Sequence, residues 1–277
     1  MERTKTPRST ESGFGRLLRE WRTRRRMSQL DLAVEAGVSS RHLSFVETGR
    51  AQPSREMVVL LANVLDVPLR DRNDLLRAAG FAPLYRETDL EASAMGQVRR
   101  ALDFILRQQE PYPAIVLDRH WNILKANDAT MRLVGLLLDP KKTAAIGPPN
   151  AMRLMFHPDG FRPHIINWEA ATAALIQWLL RDVVSGFGDE QTRRLLDEVL
   201  AYPDVPRNWR TLDLGVSTAP FLALEFRKGG VGFRYFTTLT SLGTPHDITL
   251  HELRVEAFFP ADEATEAAAQ RLAQEAS

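Results

Sequence analysis

Met27-Ser28-Gln29-Leu30-Asp31-Leu32-Ala33-Val34-Glu35-Ala36-Gly37-Val38-Ser39-Ser40-Arg41-His42-Leu43-Ser44-Phe45-Val46-Glu47-Thr48-Gly49-Arg50 carries two short helical periods separated by a glycine. Ser28 is a good N-cap, since a serine oxygen accepts from the unpaired amides of a first helical turn. Leu30, Leu32 and Ala33 give the helix behind it a short apolar face. Gly37 stands where the chain must reverse, and glycine takes a positive φ there without a Cβ clash. Ser39 or Ser40 caps the next helix, in which Leu43 and Val46 point inward with Phe45 at the margin, leaving Ser40, Arg41 and Ser44 outward. Gly49 ends it. Two short helices joined by a tight turn, with polar residues opening the second, is the arrangement that lays a helix in the major groove of DNA.

The flanks extend the pattern in order: Leu18-Arg19-x-x-Arg22, Ser28-Gln29-x-x-Leu32-Ala33, Gly37-Val38-Ser39, Leu43-x-x-Val46-Glu47-x-Gly49-Arg50, then Pro53. Over residues 15–80 this set resembles a helix-turn-helix domain of the xenobiotic-response-element (XRE) type, related to the phage repressor fold. The resemblance implies a compact five-helix domain working as a homodimer, with Arg22 and Glu47 as a charged tie between the first and third helices. By chemistry, Ser40, Arg41 and Ser44 are the candidates for base edges, Arg41 having the fork that matches guanine O6 and N7. Ser39 at the helix start joins the expected DNA contacts. In similar domains Gln29 lies against a phosphate or the adjoining base, and Arg50 is placed for a phosphate. Arg24-Arg25-Arg26 suits the C-terminal end of a helix dipole and also the DNA backbone.

Charge agrees. The net +1 conceals a split: residues 1–85 carry 15 Lys and Arg against 10 Asp and Glu, whereas the remainder carries 21 against 25. A basic head on an acidic body suits an anionic polymer at one end. The length of 277 residues calls for about two domains, and the absence of cysteine removes disulfides, thiolate metal sites and a cysteine nucleophile. Met1 to Ser12 is polar with no apolar stretch of the secretory type, and no run approaches the roughly 20 apolar residues that span a bilayer. A cytoplasmic, nucleoid-associated protein without membrane partners is expected.

Beyond Ser54, the apolar stripe Met57, Val58, Leu60, Leu61, Val64 and Leu65 and the stretch Leu69 to Ala79 complete the head. Leu90 to Gln109 reads as a connecting helix with Met95, Val98, Leu102, Ile105 and Leu106 on one side, a stripe for a second protomer or for its own domain. The period then changes. Ala114 to Leu117 and Ile123 to Asn127 read as a hairpin, followed by helical stretches Ala129 to Leu138, Ala151 to Phe156, Asn167 to Val184 and Glu190 to Ala201. Pro220 to Phe226 and Val231 to Leu239 flank a Lys228-Gly229-Gly230 turn, Thr249 to Phe259 alternates as a strand, and Asp262 to Ala276 reads as a tail helix. The expected division is a helix-turn-helix domain at 1–85, a connecting helix at 86–110, a ligand-binding domain at 111–262 and a tail helix at 263–277. The fold class is thus an all-α head of five helices plus an α+β domain with an antiparallel sheet.

Two strands, a helical block and three strands is a PAS-like order, and Ile115-x-x-Asp118-x-x-x-x-Ile123-x-x-x-Asn127 is similar to the opening of such domains. Phe156-His157-Pro158-Asp159-Gly160-Phe161-Arg162-Pro163, Asn167-Trp168 and Asn208-Trp209-Arg210 resemble the MmyB-like ligand-binding domain, which occurs behind this class of head. The resemblance implies a mostly apolar pocket with few polar anchors. Trp168, Phe226, Phe233 and Tyr235 are its candidate walls, or else core; Arg162 and Asn167 are its candidate anchors, or else Arg162 forms a surface salt bridge and Asn167, with His157, fixes the loop by capping the helix that Trp168 begins.

His157, Asp159 and His164 lie close in sequence but without helical HxxxH or HExxH spacing, so no metal is assigned. No nucleophile elbow, phosphate loop or Rossmann fingerprint occurs, so no cofactor and no enzymatic reaction is expected. The reading is a DNA-binding transcriptional regulator whose partners are a double-stranded operator and a small apolar or amphipathic effector, fatty-acid-like molecules among them. The alternative is a regulator whose second half dimerises or binds a protein without ligand.

Overall fold

Five helices form the first part of the chain in the expected order: α1 (Gly13–Arg24), α2 (Gln29–Glu35), α3 (Ser40–Glu47), α4 (Arg55–Val64) and α5 (Leu69–Ala78). They are seen in a computed structural model describing residues 13–185, 189–206 and 223–275. Serines open three of them. The Ser28 hydroxyl accepts from the Asp31 amide at 3.1 Å while the Asp31 carboxylate accepts from the Ser28 amide at 2.8 Å, a reciprocal capping box. Ser39, rather than Ser40, caps α3 through the His42 amide at 3.4 Å, and Ser54 caps α4 through Met57 at 3.2 Å. Gly37 takes the positive φ of 63° that the turn needs. Phe14, Leu18, Trp21, Leu32, Leu43, Val46, Leu61 and Leu76 are buried together with Ala33. Leu30 is 62% exposed: a seven-residue helix buries one narrow stripe, and Leu32 and Ala33 occupy it. Arg25 bonds the Leu65 and Asp66 carbonyls at 2.8 and 2.6 Å, closing the C-terminal end of α4.

The described chain divides into two compact units. One runs to Thr88 and takes in Thr244–His251; the other is Asp89–Gly243 with the chain from Glu252 onward. In the second unit α6 (Gly96–Gln108) buries Leu102 and Leu106, and Met95 just before it is buried too. The sheet is antiparallel throughout, with order β2-β1-β5-β4-β3: β1 (Ala114–Leu117), β2 (Ile123–Ala126), β3 (Leu224–Lys228), β4 (Val231–Thr240) and β5 (Arg254–Pro260). Between β2 and β3 come α7 (Asp128–Leu137), the short α8 (Pro140–Ala144), α9 (Ala151–Phe156), α10 (Trp168–Ser185) and α11 (Glu190–Ala201). Asn127 caps α7 from the end of β2, its side chain accepting from Thr130. The expected strand start at Pro220 and the Asn208-Trp209-Arg210 motif lie outside the described residues.

One expected strand is divided. Over Thr249–Phe259 the Asp247 carboxylate accepts from the Thr249 amide at 2.9 Å and opens a helical turn, α12 (Ile248–Glu252), so β5 begins only at Arg254. Asp247 also accepts from the Thr88 hydroxyl at 2.6 Å, and the Ile248 amide donates to Arg86 at 2.8 Å. A piece of chain lying between β4 and β5 in sequence thereby belongs to the helical unit. The tail is α13 (Glu263–Glu275), capped by Asp262 through the Thr265 amide at 2.8 Å. Among the described residues no helix is long and apolar enough to cross a membrane.

Candidate nucleic-acid interface and apolar cavity

The first helical unit presents its candidate residues around α3. Ser39, Ser40, Arg41 and Arg50 are exposed, and Gln29 and Ser44 half-buried. Arg41 and Arg50 both approach the Phe45 ring, their guanidinium carbons 5.4 and 6.0 Å from its centroid. Phe45 is therefore a shared platform that restricts two cations expected to touch DNA. Behind this face Glu47 is fully buried. Its carboxylate accepts from Arg22 Nε at 2.7 Å and Nη2 at 3.1 Å, and from Gln29 Nε2 at 2.6 Å. One acidic group thus joins α1, α2 and α3 and sets the pitch of α3. The Gln29 amide nitrogen, expected against DNA, is engaged in this tie.

Close packing completes it. A Cβ on Gly15 would stand 2.2 Å from the Glu47 carbonyl oxygen, so only glycine lets α1 approach the end of α3 this closely.

The second unit holds a cavity of about 80 Å3 between one sheet face and α7, α9 and α10. That is roughly half of the ~150 Å3 apolar cavity known to admit benzene. Ile115, Leu224, Phe226, Glu256 and Phe258 line its sheet side; Leu133, Val134, Met152, Met155 and Leu175 line its helix side. Of the expected pocket residues, Phe226 lines it. Phe233 and Tyr235 stack on each other at 6.0 Å in the buried core, where burial pushes the Tyr235 phenol far above its ordinary value.

Arg162, Asn167 and Trp168 meet in a separate corner. The Trp168 indole donates to the Asp204 carbonyl at 2.7 Å, packs edge-on to Phe156 and carries the Arg162 guanidinium 4.3 Å above its ring. Asn167 donates to the Ala223 carbonyl at 2.6 Å and accepts from the Glu225 amide at 3.1 Å, imitating a strand partner at the edge of β3. The Ile166 amide adds a bond to the Glu225 carbonyl at 2.8 Å. The preceding His157-Pro158-Asp159-Gly160 is a turn in which His157 Nδ1 accepts from the Asp159 amide at 3.0 Å. Gly160 is required there because a Cβ would stand 2.2 Å from the Leu154 carbonyl oxygen.

Sequence reasoning missed Glu256, Met152 and Met155. Glu256 stands on the middle strand, paired to Ile115 on one side and Leu239 on the other. It is 5% exposed, and burial pushes its carboxyl up to about 7, the Thr237 hydroxyl acting in the opposite sense. The available signal was parity: Glu256 and Phe258 share a face of β5.

Two families match the chain. Residues 98–272 match the MmyB-like transcription regulator ligand binding domain, and residues 14–75 match a helix-turn-helix domain. An uncharacterized HTH-type transcriptional regulator of Bacillus subtilis is 40% identical over 83 residues, 30% of this chain and 58% of that one. A putative HTH-type transcriptional regulatory protein of Methanoculleus marisnigri is 35% identical over 126 residues, 43% of this chain and 40% of that one. The chain thus spans less than two thirds of either relative. Among solved structures, a restriction-modification controller protein from Aeromonas hydrophila is 34% identical, with 22% of this chain and 92% of that one covered and a TM-score of 0.21.

Proposed function

The chain belongs to the family defined by the MmyB-like transcription regulator ligand binding domain, and from that premise we propose a one-component, ligand-responsive regulator. It is a DNA-binding transcription regulator with a helix-turn-helix head. In the proposal, a homodimer reads two operator half-sites about one helical turn apart through α3, and a small apolar or amphipathic molecule in the second unit alters that binding. The observation carrying the proposal is the cavity, whose walls are hydrocarbon except for isolated polar groups. Control requires the ligand to bind one DNA-competence state more tightly than the other. The chain passes between the two units at Thr88, Gly243 and His251, so three covalent crossings are available to convey the change.

Native mass spectrometry of the full chain, followed by denaturing extraction, tests this. A discrete small-molecule adduct, lost in Val134→Phe, supports the sensor. An empty protein whose operator affinity ignores an apolar extract of its host overturns it. A second reading, an interaction module without ligand, is favoured by Phe104 and Ile105 of α6, which stand 55% and 37% exposed.

A further inference from the structure

We propose that the cavity of the second unit selects an apolar amine, whose ammonium group pairs with the Glu256 carboxyl while its hydrocarbon body fills the space toward Met152 and Met155. The inference rests on the sensor reading and names its ligand class. Among the described residues lining the cavity Glu256 alone is ionisable. The other polar atoms there are already used: Thr130 Oγ1 donates to Ala114 O and accepts from its amide, both at 3.0 Å, and the Trp121 indole donates to Asp182 at 2.9 Å.

Glu256 differs from them. A carboxylate offers about four acceptor positions, and the Thr237 hydroxyl bonds to it. The side chain cannot swing to water, because β5 is the central strand with β1 and β4 on either side. An acid held at the wall of an apolar cavity carries an uncompensated desolvation cost, and such groups mark sites. An ammonium relieves that cost with a charge-assisted bond. A fatty-acid carboxylate placed at Glu256 would set two acids together and force one to stay protonated. The structure therefore turns the expectation of a fatty-acid-like effector toward the opposite charge.

The test uses the full chain in phosphate buffer, with 13C-labelled methionine methyl groups assigned by Met152→Leu and Met155→Leu, titrated with n-butylamine, n-butanol and butyrate. The amine is expected to shift both methyl signals with at least tenfold tighter binding than butanol or butyrate, and Glu256→Gln to abolish that preference. The amine stays cationic between pH 5 and 9, so its affinity in the unaltered protein rises as Glu256 ionises while that of butanol stays level. The lining residues of β1, α7, α9 and α10 do not titrate; on β4 the buried Tyr235 shares the face and titrates far above this range. Butyrate binding as tightly as the amine, a preference surviving Glu256→Gln, or no pH response overturns the inference. Butanol binding without an amine preference defeats it while sparing the sensor; no shift from any of the three defeats both.

Discussion

Arg22 holds both carboxylate oxygens of Glu47, at 2.7 and 3.1 Å, from the opposite side of the helix-turn-helix core. Glu47 is fully buried and Arg22 nearly so. Paired this way the two charges satisfy each other; either alone would be an ion without solvent. Because the same carboxylate receives Gln29, the tie reaches the start of α2 as well as the end of α3. The position of α3, the helix proposed to read DNA, thus depends on a buried acid that ties it to α1 and α2.

Glu47→Ala leaves the Arg22 guanidinium without its partner and is expected to cost about 3–5 kcal/mol, the usual penalty for breaking a buried pair. Denaturant unfolding of the head, with operator affinity measured in parallel, checks it. Operator affinity should fall toward the non-specific level. A loss under 1 kcal/mol would mean the pair is hydrated in solution.

Gly15→Ala places a methyl 2.2 Å from the Glu47 carbonyl. Backbone on both sides leaves nothing flexible to yield, so α1 must move. We expect destabilisation of about 1–3 kcal/mol, as in overpacked cores, with chemical-shift changes propagating to α3. Shifts confined to α1 would show the strain absorbed locally.

Arg41→Ala should weaken operator binding by roughly 1–3 kcal/mol, concentrated at one base pair if its contact is bidentate. Arg50→Ala should lower the salt slope of binding by about one while affecting all sequences alike. Both side chains rest on Phe45, so Phe45→Leu is expected to produce a mixture of the two effects. Binding titrations over a set of single-base operator variants and salt concentrations separate them; identical profiles for Arg41→Ala and Arg50→Ala would assign both to phosphates.

The helical head was legible because its signals are local: a serine cap, a glycine reversal and a short apolar stripe each act within a few residues. Leu30 was misplaced on the apolar face because burial in a short helix depends on packing geometry, and the bonds of Arg25 to the end of α4 were not visible because they join residues about 40 apart. In the second unit the element order was legible from period and turns, Gly229-Gly230 supplying the hairpin with two positive φ values. What the cavity contains was not. Asn167 and Trp168 admit both a ligand and a structural reading in sequence, and their polar atoms bond the edge of β3 and the Asp204 carbonyl. Glu256 reads as the polar member of an alternating strand beside Val255, and its parity with Phe258, both lining the cavity, is what places it inward. The Thr249–Glu252 turn escaped notice because Asp247 caps it while also bonding distant Thr88.

Asn167→Ala strips partners from the Ala223 carbonyl and the Glu225 amide, and should cost about 1–3 kcal/mol. Trp168→Phe loses the bond to Asp204 and should cost about 1 kcal/mol, whereas Trp168→Ala opens a void worth about 3–5 kcal/mol. Hydrogen exchange at β3 distinguishes these from ligand contacts: Asn167→Ala should speed exchange of the Glu225 amide, and unchanged protection there would return Asn167 to the candidate anchors.

Glu256 sets a pH dependence of opposite sense to the usual acid. Its folded-state carboxyl titrates near 7 while the unfolded chain releases the proton near 4.5. Below 4.5 both states are protonated and the folded state bears no penalty. Between 4.5 and 7 the unfolded chain gains by ionising first, so stability declines, and above 7 the loss levels off at roughly 3 kcal/mol. His120 works against this trend below pH 6.5, since burial holds its imidazole below the ordinary value, so stability from that residue rises as pH climbs toward 6.5 and is level above it. The difference between the unaltered chain and Glu256→Gln isolates the carboxyl. Subtracting denaturation curves of the two at pH 4.5 to 8 should give a gap that widens in favour of Glu256→Gln up to pH 7 and then stays constant. A gap independent of pH would place the Glu256 carboxyl in contact with water and remove the cost that an amine ligand is proposed to relieve.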